Sequence, residues 1–393
     1  MHQVYVKKKN IKPYLGTLTI ELTERCNNNC THCCINLPEQ DLEAKRKELS
    51  TDKIKSIIEE ALILGCRKIW FTGGEPLLRE DFEDIYIFTR KLGLRVLLFT
   101  NAMLITPRII DVFKKYPPNE KIEVTVYGLT KQSYESSTRV PGSFEKFNQG
   151  TNLLKENNIP FVIKTALLPG NKHEMGKIRS FSDSLPATEL GLHYSLHFDL
   201  RGRRDDEKKN NMIKQLRISS RDSLEVLAKN RDAYIKEKKL YCNRFNGLKG
   251  DRLFSCGAGM QGATLDAYGN LQPCVLLRHP DTVYDIKKGT LKEGLKKMLY
   301  EVRNIRAANP DYLSRCAKCF IKVLCEQCPG KSWGEHGTLD TPVEYLCSLA
   351  HGSARFLGLL KDNERAWEIE DGIERMERFT GKKIKEVESV NKS

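Results

Sequence analysis

The chain has 393 residues, of which 40% are hydrophobic and 30% are charged. This composition is that of a globular protein and excludes fibrous and intrinsically disordered classes. Lys and Arg number 65 and Asp and Glu number 51, which gives a net charge of +14. The basic residues are spread along the chain, so we favour a solvated basic surface over an RNA or an acidic partner. No apolar run approaches the ~18 residues of a membrane span, and we predict a cytoplasmic protein.

Thirteen cysteines are the most informative feature of the composition. Disulfides are rare in a reducing compartment, so clustered cysteines indicate metal binding. One group lies near the N-terminus and another in the last third of the chain, at positions 26, 30, 33 and 34 and at positions 242, 256, 274, 316, 319, 325, 328 and 347. Cys66 lies between the groups, at a predicted helix end, and is expected to be structural.

Strand-like and helix-like segments alternate from residue 16 to about residue 200. Short segments rich in Val, Ile, Leu and aromatic residues predict strands over 17–22, 68–72, 95–100, 122–127, 161–167 and 192–199. Amphipathic periodicity predicts helices over 54–62, 81–92, 107–115 and 143–157. Strands recurring roughly every 30 residues are typical of βα units. We predict an α/β fold with a partial, open (β/α)6 barrel, and a doubly wound sheet is the alternative.

The rest of the chain is predicted to form three further regions. The barrel is assigned to residues 1–200, and the charged residues 201–250 predict a connector with one or two helices. Residues 251–350 are rich in cysteines and turns, which predicts a small metal-binding domain. Residues 351–393 predict a terminal helix, reaching to about residue 380, and a frayed tail.

Cys26, Cys30 and Cys33 form a C-x3-C-x2-C loop directly after the first predicted strand. Three thiolates on one loop can hold three irons of a [4Fe–4S] cubane. The fourth iron is then open to a substrate or cofactor, which is a catalytic arrangement. Cys34 is not expected to complete the cube, because neighbouring side chains point apart. Zinc is the alternative, although zinc sites favour paired C-x2–4-C motifs.

This loop resembles that of the radical S-adenosylmethionine (SAM) enzymes, and a second motif agrees with the resemblance. Gly73-Gly74-Glu75-Pro76 closes the second predicted strand. The resemblance implies that this backbone edge and Glu75 hold the amino group of SAM. Glycine allows a close approach of the main chain, and a carboxylate suits an ammonium group. It also implies that the reduced cluster cleaves SAM to methionine and a 5′-deoxyadenosyl radical, which removes a hydrogen atom from the substrate.

Four further positions match the family less specifically. The resemblance implies that Asn101 lies near SAM, that Thr125 contacts its ribose and that Arg139 pairs with its carboxylate. His32 occupies a position that is often aromatic and lies beside the adenine. Each of the first three has a structural alternative, namely a turn residue, a strand residue and a surface cation.

The C-terminal cysteines resemble the SPASM extension of radical SAM peptide-modifying enzymes. A G-x4-C motif and a C-x2-C-x5-C-x2-C motif follow a leading cysteine, and one further cysteine closes the set. The resemblance implies two auxiliary [4Fe–4S] clusters. The implied ligands are Cys256, Cys274 and Cys328 for the first cluster and Cys316, Cys319, Cys325 and Cys347 for the second.

Several details of this set depart from the family pattern. The usual last pair is C-x3-C, whereas Cys325 and Cys328 form C-x2-C, so the sharing of these two residues between the clusters is open. The first auxiliary cluster has three clear ligands, and either Cys242 supplies a fourth or the site is open. A zinc ribbon is an alternative, but the spacing is tighter than a ribbon needs.

We predict a radical SAM/SPASM oxidoreductase that matures a ribosomal peptide or protein. The expected partners are the peptide substrate and a flavodoxin- or ferredoxin-type electron donor. A separate leader-peptide-binding protein is also expected, because no leader-binding domain of about 80 residues fits before residue 26. Sulfatase maturation is an alternative, although Val275 stands where some such enzymes have an acidic proton acceptor. Small-molecule dehydrogenation, RNA modification or binding, and pure electron transfer are functions that the sequence also leaves open.

Overall fold

The computed structural model of the chain describes residues 13–35, 37–185, 193–196, 198–201, 204–244 and 250–383. Most of the predicted tail and part of the predicted strand over 192–199 therefore lie outside the described residues. None of the helices in the described ranges is long and apolar enough to cross a membrane.

The strands begin four residues after the first described residue and continue into the last third of the chain. They are β1 Thr17–Thr23, β2 Arg25–Cys26, β3 Leu37–Pro38, β4 Lys68–Gly73, β5 Arg95–Thr100, β6 Asn119–Val126, β7 Phe161–Ala166, β8 His193–Ser195, β9 Gly262–Leu265, β10 Asn270–Gln272 and β11 Tyr284–Asp285.

Helices alternate with these strands and then dominate the C-terminal part. They are α1 Leu42–Lys47, α2 Thr51–Ile63, α3 Phe82–Lys91, α4 Pro107–Lys115, α5 Lys131–Thr138, α6 Ser143–Glu156, α7 Met175–Asp183, α8 Glu207–Leu216, α9 Ser220–Leu227, α10 Arg231–Arg244, α11 Leu291–Tyr300, α12 Pro329–His336, α13 Glu344–Phe356 and α14 Gly372–Thr380. The four helices predicted within the barrel are all present.

Six parallel strands confirm the predicted partial (β/α)6 barrel. They lie side by side in the order β1-β4-β5-β6-β7-β8, which is also their order along the chain. A doubly wound sheet reverses its strand order at a switch point, so that alternative is wrong.

The strand sequences explain which face of this sheet packs against the helices. On β6, Ile122, Val124 and Val126 alternate with polar residues and are fully buried. Successive side chains of a strand point to opposite faces, so these three form the face that the helices cover. The helices supply matching apolar positions, such as Ile54 and Ile58 of α2. The polar residues between them consequently face the inside of the barrel.

Three short strands extend this sheet beyond the prediction. Strand β9 pairs in parallel with β1, from Thr17 opposite Gly262 to Ile20 opposite Leu265. Strand β10 pairs antiparallel with β9, and β11 pairs antiparallel with β10. These strands have only two to four residues, too few for a periodic pattern to reveal them in the cysteine-rich region.

The chain divides into two compact units that interleave along the sequence. The barrel unit comprises Met1–Arg217, Cys256–Asn304 and Trp333–Gly337. The cysteine-rich unit comprises Ile218–Ser255, Ile305–Ser332 and Thr338–Ser393. The domain boundaries given by the sequence stay predictions.

Two predictions about the helices outside the barrel are corrected. The connector over 201–250 contains three helices, α8, α9 and α10, instead of one or two. The single terminal helix predicted to about residue 380 is instead two helices, α13 and α14. Helix α13 ends because Gly358, just past it, takes a φ of +74°, the left-handed conformation that terminates helices.

Candidate active site and cysteine clusters

The predicted triad lies on a loop at the carboxyl end of β1. Cys26 ends β2, and Cys30 begins a turn that the Cys33 amide closes by donating to the Cys30 carbonyl over 3.2 Å. Backbone amides already approach two of the sulfurs. The Asn28 amide lies 3.4 Å from Cys26 Sγ, and the Ile35 amide lies 3.5 Å from Cys33 Sγ. Such N–H···S contacts suit thiolates that carry negative charge on a cluster.

The three thiols share one electrostatic environment. Burial and the negative charge of Cys33 raise the pKa of Cys30 to about 12, whereas Tyr127 and Arg139 act to lower it. Burial and the charge of Glu75 raise the pKa of Cys26. Iron binding must therefore displace protons from Cys26 and Cys30, because only thiolates bind the metal.

The two glycines of the Gly-Gly-Glu-Pro motif allow β4 to join the start of the cysteine loop. The Gly74 amide donates to the Thr23 carbonyl over 2.7 Å, and the Glu75 amide donates to the Arg25 carbonyl over 2.9 Å. A Cβ atom on Gly73 would lie 2.2 Å from the Thr23 oxygen, and one on Gly74 would lie 2.1 Å from the Arg25 oxygen. Only glycine permits this approach, so the motif positions the loop that carries the triad.

Gly74→Ala is expected to destabilise the barrel by about 3 kcal/mol and to lower iron binding at the triad. The added methyl group meets a backbone oxygen, which cannot move without shifting the cysteine loop. Denaturant unfolding and iron content measure the two effects. Gly176→Ala in α7 is the control, since its Cβ meets no atom within 4 Å. If Gly74→Ala and Gly176→Ala unfold at the same denaturant concentration, this role of Gly74 is contradicted.

Glu75 is fully buried and forms the centre of a hydrogen-bond network. Its Oε1 accepts from the Leu77 amide at 3.1 Å and from the Thr100 hydroxyl at 2.8 Å, and its Oε2 accepts from the Asn101 amide at 2.8 Å. Burial raises the pKa of Glu75 to about 7, although the three hydrogen bonds act in the opposite direction. A carboxylate accepts about four hydrogen bonds. Oε2 of Glu75 can therefore accept one more, such as the predicted hydrogen bond from the ammonium group of SAM.

Glu75→Ala is expected to lower the free energy of unfolding by about 2–3 kcal/mol, because three buried donors lose their acceptor. We also expect weaker SAM binding with the triad's iron retained. Chemical denaturation and equilibrium dialysis of SAM measure these effects. Glu80→Ala, at an exposed carboxylate beside Lys45, is the control. The role assigned to Glu75 fails if both variants unfold at the same denaturant concentration.

Asn101 and Arg139, which were predicted from the resemblance, both contact the cysteine loop. Asn101 Nδ2 donates to Asn27 Oδ1 at 2.7 Å and lies 3.9 Å from Cys26 Sγ. Arg139 Nε donates to the Asn29 carbonyl at 2.6 Å, and its Nη2 donates to Asn29 Oδ1 at 2.8 Å. The structure thus brings both side chains to the triad, and their contacts with SAM stay predictions.

His32 and Thr125 occupy positions consistent with the predicted pocket. The His32 ring lies 5.1 Å from the rings of both Tyr127 and Phe198, between centroids. Burial, together with the charges of Lys209 and Arg139, lowers the pKa of His32 to about 4. The imidazole is therefore neutral near pH 7 and acts as an aromatic surface. Thr125 lies on the inner face of β6, in register with Lys164 of β7.

Sequence reasoning missed two features that support the loop. The Tyr127 hydroxyl lies within hydrogen-bonding reach of Cys30, and no motif marks this tyrosine. A buried ion-pair network also braces the loop's base. Arg25 Nε lies 2.8 Å from Glu48 Oε1, and Arg79 Nη1 lies 3.6 Å from Glu48 Oε2. The partners are far apart in the sequence, so spacing could not reveal them.

Four C-terminal cysteines line one cavity of the cysteine-rich unit. They are those that the resemblance assigns to the second auxiliary cluster, Cys316, Cys319, Cys325 and Cys347. Burial raises the pKa of Cys316 to about 11 and the pKa values of Cys319 and Cys325 to about 12, and neighbouring thiols of the group add to each shift.

The other C-terminal cysteines have different surroundings. Cys256 is exposed and Cys274 is half-buried, and both belong to the barrel unit, whereas Cys328 belongs to the cysteine-rich unit. Their assignment to a common cluster stays a prediction. Cys242 is 2% exposed, and burial within an apolar cluster that includes Ile321 raises its pKa to about 11.

The donor sets fit iron–sulfur clusters in their chemistry. The N-terminal loop offers three thiols, and the cavity offers four, with His351 also among its lining residues. Within the described ranges, no group of three or more His, Cys, Asp or Glu side chains is arranged around a single metal ion. Zinc holds its ligands about 2.3 Å from one point, whereas a cubane spreads its thiolates over the corners of a cube.

Residues 20–181 match the family model of the radical SAM superfamily. The AdoMet-dependent heme synthase of Methanosarcina barkeri is 30% identical over 174 residues, which are 44% of this chain and 49% of that protein. The chain spans about half the length of the curated relatives it matches. The matched region contains the triad and the Gly-Gly-Glu-Pro motif, and the radical SAM family that it resembles uses a [4Fe–4S] cluster and SAM.

Two solved structures share the fold over most of the chain. SuiB of Streptococcus suis, bound to S-adenosylmethionine, has a TM-score of 0.63 and 14% identity, covering 86% of this chain and 78% of that one. The protein anSMEcpe with bound AdoMet has a TM-score of 0.62 and 16% identity, covering 93% and 98%. At these identities the likeness concerns the fold alone.

Proposed function

We propose that the chain is a radical SAM maturase that oxidatively modifies a peptide or protein and carries two auxiliary [4Fe–4S] clusters. The observation that carries this proposal is the thiol-lined cavity formed by four cysteines outside the predicted SAM site. An enzyme that only cleaves SAM needs no such cavity. An oxidation that removes more than a hydrogen atom needs an electron acceptor, which a further cluster supplies.

The extent of the likenesses favours a peptide substrate. The match to the heme synthase covers 44% of the chain, whereas the likeness to SuiB and anSMEcpe covers 86% and 93% of it. SuiB has also been solved with the precursor peptide SuiA, and anSMEcpe with the Cp18Cys peptide. The likeness that extends beyond the residues matched to the heme synthase is therefore to proteins with bound peptides.

The inner face of the barrel is suited to a polar substrate. Glu21 is fully buried and pairs with Arg278 at 2.7 Å, and Glu123 lies 3.8 Å from Lys164. Among the described residues, no hydrogen-bond partner meets the buried indole nitrogen of Trp70.

The chain's own residues then have distinct tasks at the triad. Cys26, Cys30 and Cys33 hold the cluster, which, with SAM bound, supplies the radical that removes hydrogen from the substrate. Glu75 orders the backbone of Asn101 beside the loop. The neutral ring of His32 and the Tyr127 ring form an aromatic wall that excludes water from the reacting atoms.

Coexpression with each short open reading frame found beside its gene tests the proposal. We expect mass spectrometry to show a peptide whose mass has changed, for example by the loss of two hydrogen atoms. The Cys30→Ala variant is the control and should leave the peptide unchanged. If no neighbouring peptide changes while the purified chain cleaves SAM, a peptide from that locus is not the substrate.

Anaerobically reconstituted chain is expected to bind about twelve irons, as three [4Fe–4S] clusters require. About eleven would indicate that one auxiliary cluster is incomplete. The iron content per chain is measured by iron and sulfide analysis together with mass spectrometry of the bound metals. About four irons per chain would contradict the auxiliary clusters. Stoichiometric zinc would contradict iron–sulfur clusters at the triad and at the four-cysteine cavity.

A small-molecule substrate is the second candidate, favoured by the similarity to a heme synthase. Sulfatase maturation finds less support, because exposed Val275 follows Cys274 and cannot accept a proton. Stimulation of SAM cleavage by a porphyrin, with none by peptides, would favour the second candidate. Binding to RNA would instead show a steep salt dependence.

A further inference from the structure

Positive and hydrogen-bonding side chains surround the four-cysteine cavity. Arg315, Lys322, His351 and Trp367 line it together with the thiols. None of them follows from the cysteine motif, and the function proposed above leaves their role open. They belong to one compact unit and form two walls, one beside Cys347 and one beside the other three cysteines.

Arg315 forms the first wall and is fixed from three directions. Its Nη1 and Nη2 lie 2.7 Å and 3.0 Å from the two carboxylate oxygens of Glu344. Its guanidinium group lies 4.7 Å from the centre of the Trp367 ring, and its Nη2 lies 3.9 Å from Cys347 Sγ. Because arginine stays charged in proteins, this places a permanent cation against one of the cluster ligands.

His351 adds a hydrogen-bond donor to the same wall. Its Nε2 accepts from the Ala366 amide at 3.2 Å, so the ring proton is assigned to Nδ1. Nδ1 lies 2.9 Å from the Cys347 carbonyl oxygen and 3.5 Å from Cys347 Sγ. Trp367 packs edge-on against the imidazole, with 5.3 Å between ring centroids, and shields this contact from water.

Lys322 forms the second wall. Its Nζ donates to the Tyr312 hydroxyl at 2.7 Å and lies 4.9 Å from the centre of that ring. Tyr312 in turn donates to the Arg252 carbonyl at 3.2 Å, which fixes the pair. The three thiols on this side, Cys316, Cys319 and Cys325, line the same cavity as Lys322.

Cations and N–H donors beside a cluster stabilise its reduced form, because reduction adds a negative charge. We propose that Arg315, Lys322 and His351 raise the reduction potential of the cluster held by the four cysteines of this cavity. The oxidised cluster then gains one electron readily and is suited to accept electrons from the substrate, instead of supplying them to SAM. This inference rests on the proposed function, which provides the cluster.

Redox titration of the full-length, reconstituted chain, followed by electron paramagnetic resonance, tests this proposal. Arg315→Gln and Lys322→Met each remove one charge from the cavity. We expect a single reduction wave to move to lower potential in each, so that the ratio of reduced to oxidised cluster falls about tenfold at a fixed potential. For a one-electron couple this is about 59 mV. The remaining waves should stay in place and serve as internal standards.

Three matched variants separate charge from packing. Lys318→Met removes the same charge from an exposed position between Cys316 and Cys319, and it should not move the wave. Arg315→Lys keeps the charge and should keep the potential close to that of the wild type. His351→Phe keeps a ring against Trp367 but removes the N–H donor, and a smaller downward shift is expected.

The outcomes distinguish this inference from the proposed function. If the wild type holds only the triad's cluster, the proposed function fails. If all clusters assemble but Arg315→Gln and Lys322→Met titrate like the wild type, only the inference is overturned. Loss of the cluster in both variants also overturns it, since the cations then serve assembly and do not set the potential.

Discussion

Cys30→Ala is expected to abolish the formation of 5′-deoxyadenosine from SAM and dithionite. Cys30 is the most deeply buried of the triad, at 4% exposed, and Tyr127 and Arg139 act to lower the pKa of its thiol. Removing this ligand leaves two thiolates, which cannot hold three irons of a cubane. We expect a loss of about four irons per chain, while the auxiliary clusters persist.

Cys34→Ala is the matched control, because Cys34 is adjacent to the triad and is predicted not to bind the same cluster. It should retain both iron and SAM cleavage. Liquid chromatography of the nucleoside product measures the difference. If Cys30→Ala cleaves SAM at the native rate, or if Cys34→Ala is equally inactive, the triad has been misassigned.

Cys347→Ala is expected to lose substrate modification but to keep abortive SAM cleavage. Cys347 lies on α13 and lines the four-cysteine cavity in the cysteine-rich unit. The triad lies in the barrel unit, whose sheet and helices have their own core. Loss of the second auxiliary cluster should therefore leave the triad's cluster intact. The ratio of modified product to 5′-deoxyadenosine is the decisive quantity.

Ser348→Ala is the control for Cys347→Ala, because it changes an exposed neighbour on the same helix. It should modify substrate like the wild type. If Cys347→Ala is recovered only as aggregate, Cys347→Ser, which keeps the approximate size of the side chain, replaces it. Normal modification by a soluble variant would show that Cys347 holds no cluster that the reaction needs.

Periodic patterns made most of the barrel predictable. The predicted strand over 95–100 and the predicted helix over 107–115 coincide with β5 and α4. A proline in the first turn and a Thr106 cap fix the start of α4 locally. Strand β9 was missed, since its stability comes from pairing with β1, which lies more than 200 residues away, and β10 and β11 are added to the sheet through β9.

The site was predictable where ligands follow one another in the sequence. The triad and the Gly-Gly-Glu-Pro motif lie at adjacent strand ends, as their order in the chain implies. The partners of these residues were not predictable. Tyr127 lies beside Cys30, and Arg315 and Lys322 line the four-cysteine cavity. These contacts arise from tertiary packing, and the spacing of residues in the sequence does not reveal them.

Glu75 shows how packing adds to a motif. The sequence assigned its carboxylate to the SAM amino group. The structure shows in addition that this carboxylate accepts three hydrogen bonds from the protein, one of them from the amide of Asn101, just after the next strand. A fully buried carboxylate requires such partners, but the sequence does not reveal which residues provide them.

Transfer of deuterium from a labelled peptide to 5′-deoxyadenosine tests the central claim most directly. The peptide modified in coexpression would be made with deuterated side chains and incubated with the reconstituted chain, SAM and reductant. We predict that 5′-deoxyadenosine gains one deuterium atom in step with formation of the modified peptide. Modified peptide with unlabelled 5′-deoxyadenosine from a fully deuterated substrate would contradict the account, because the hydrogen atom would then come from elsewhere.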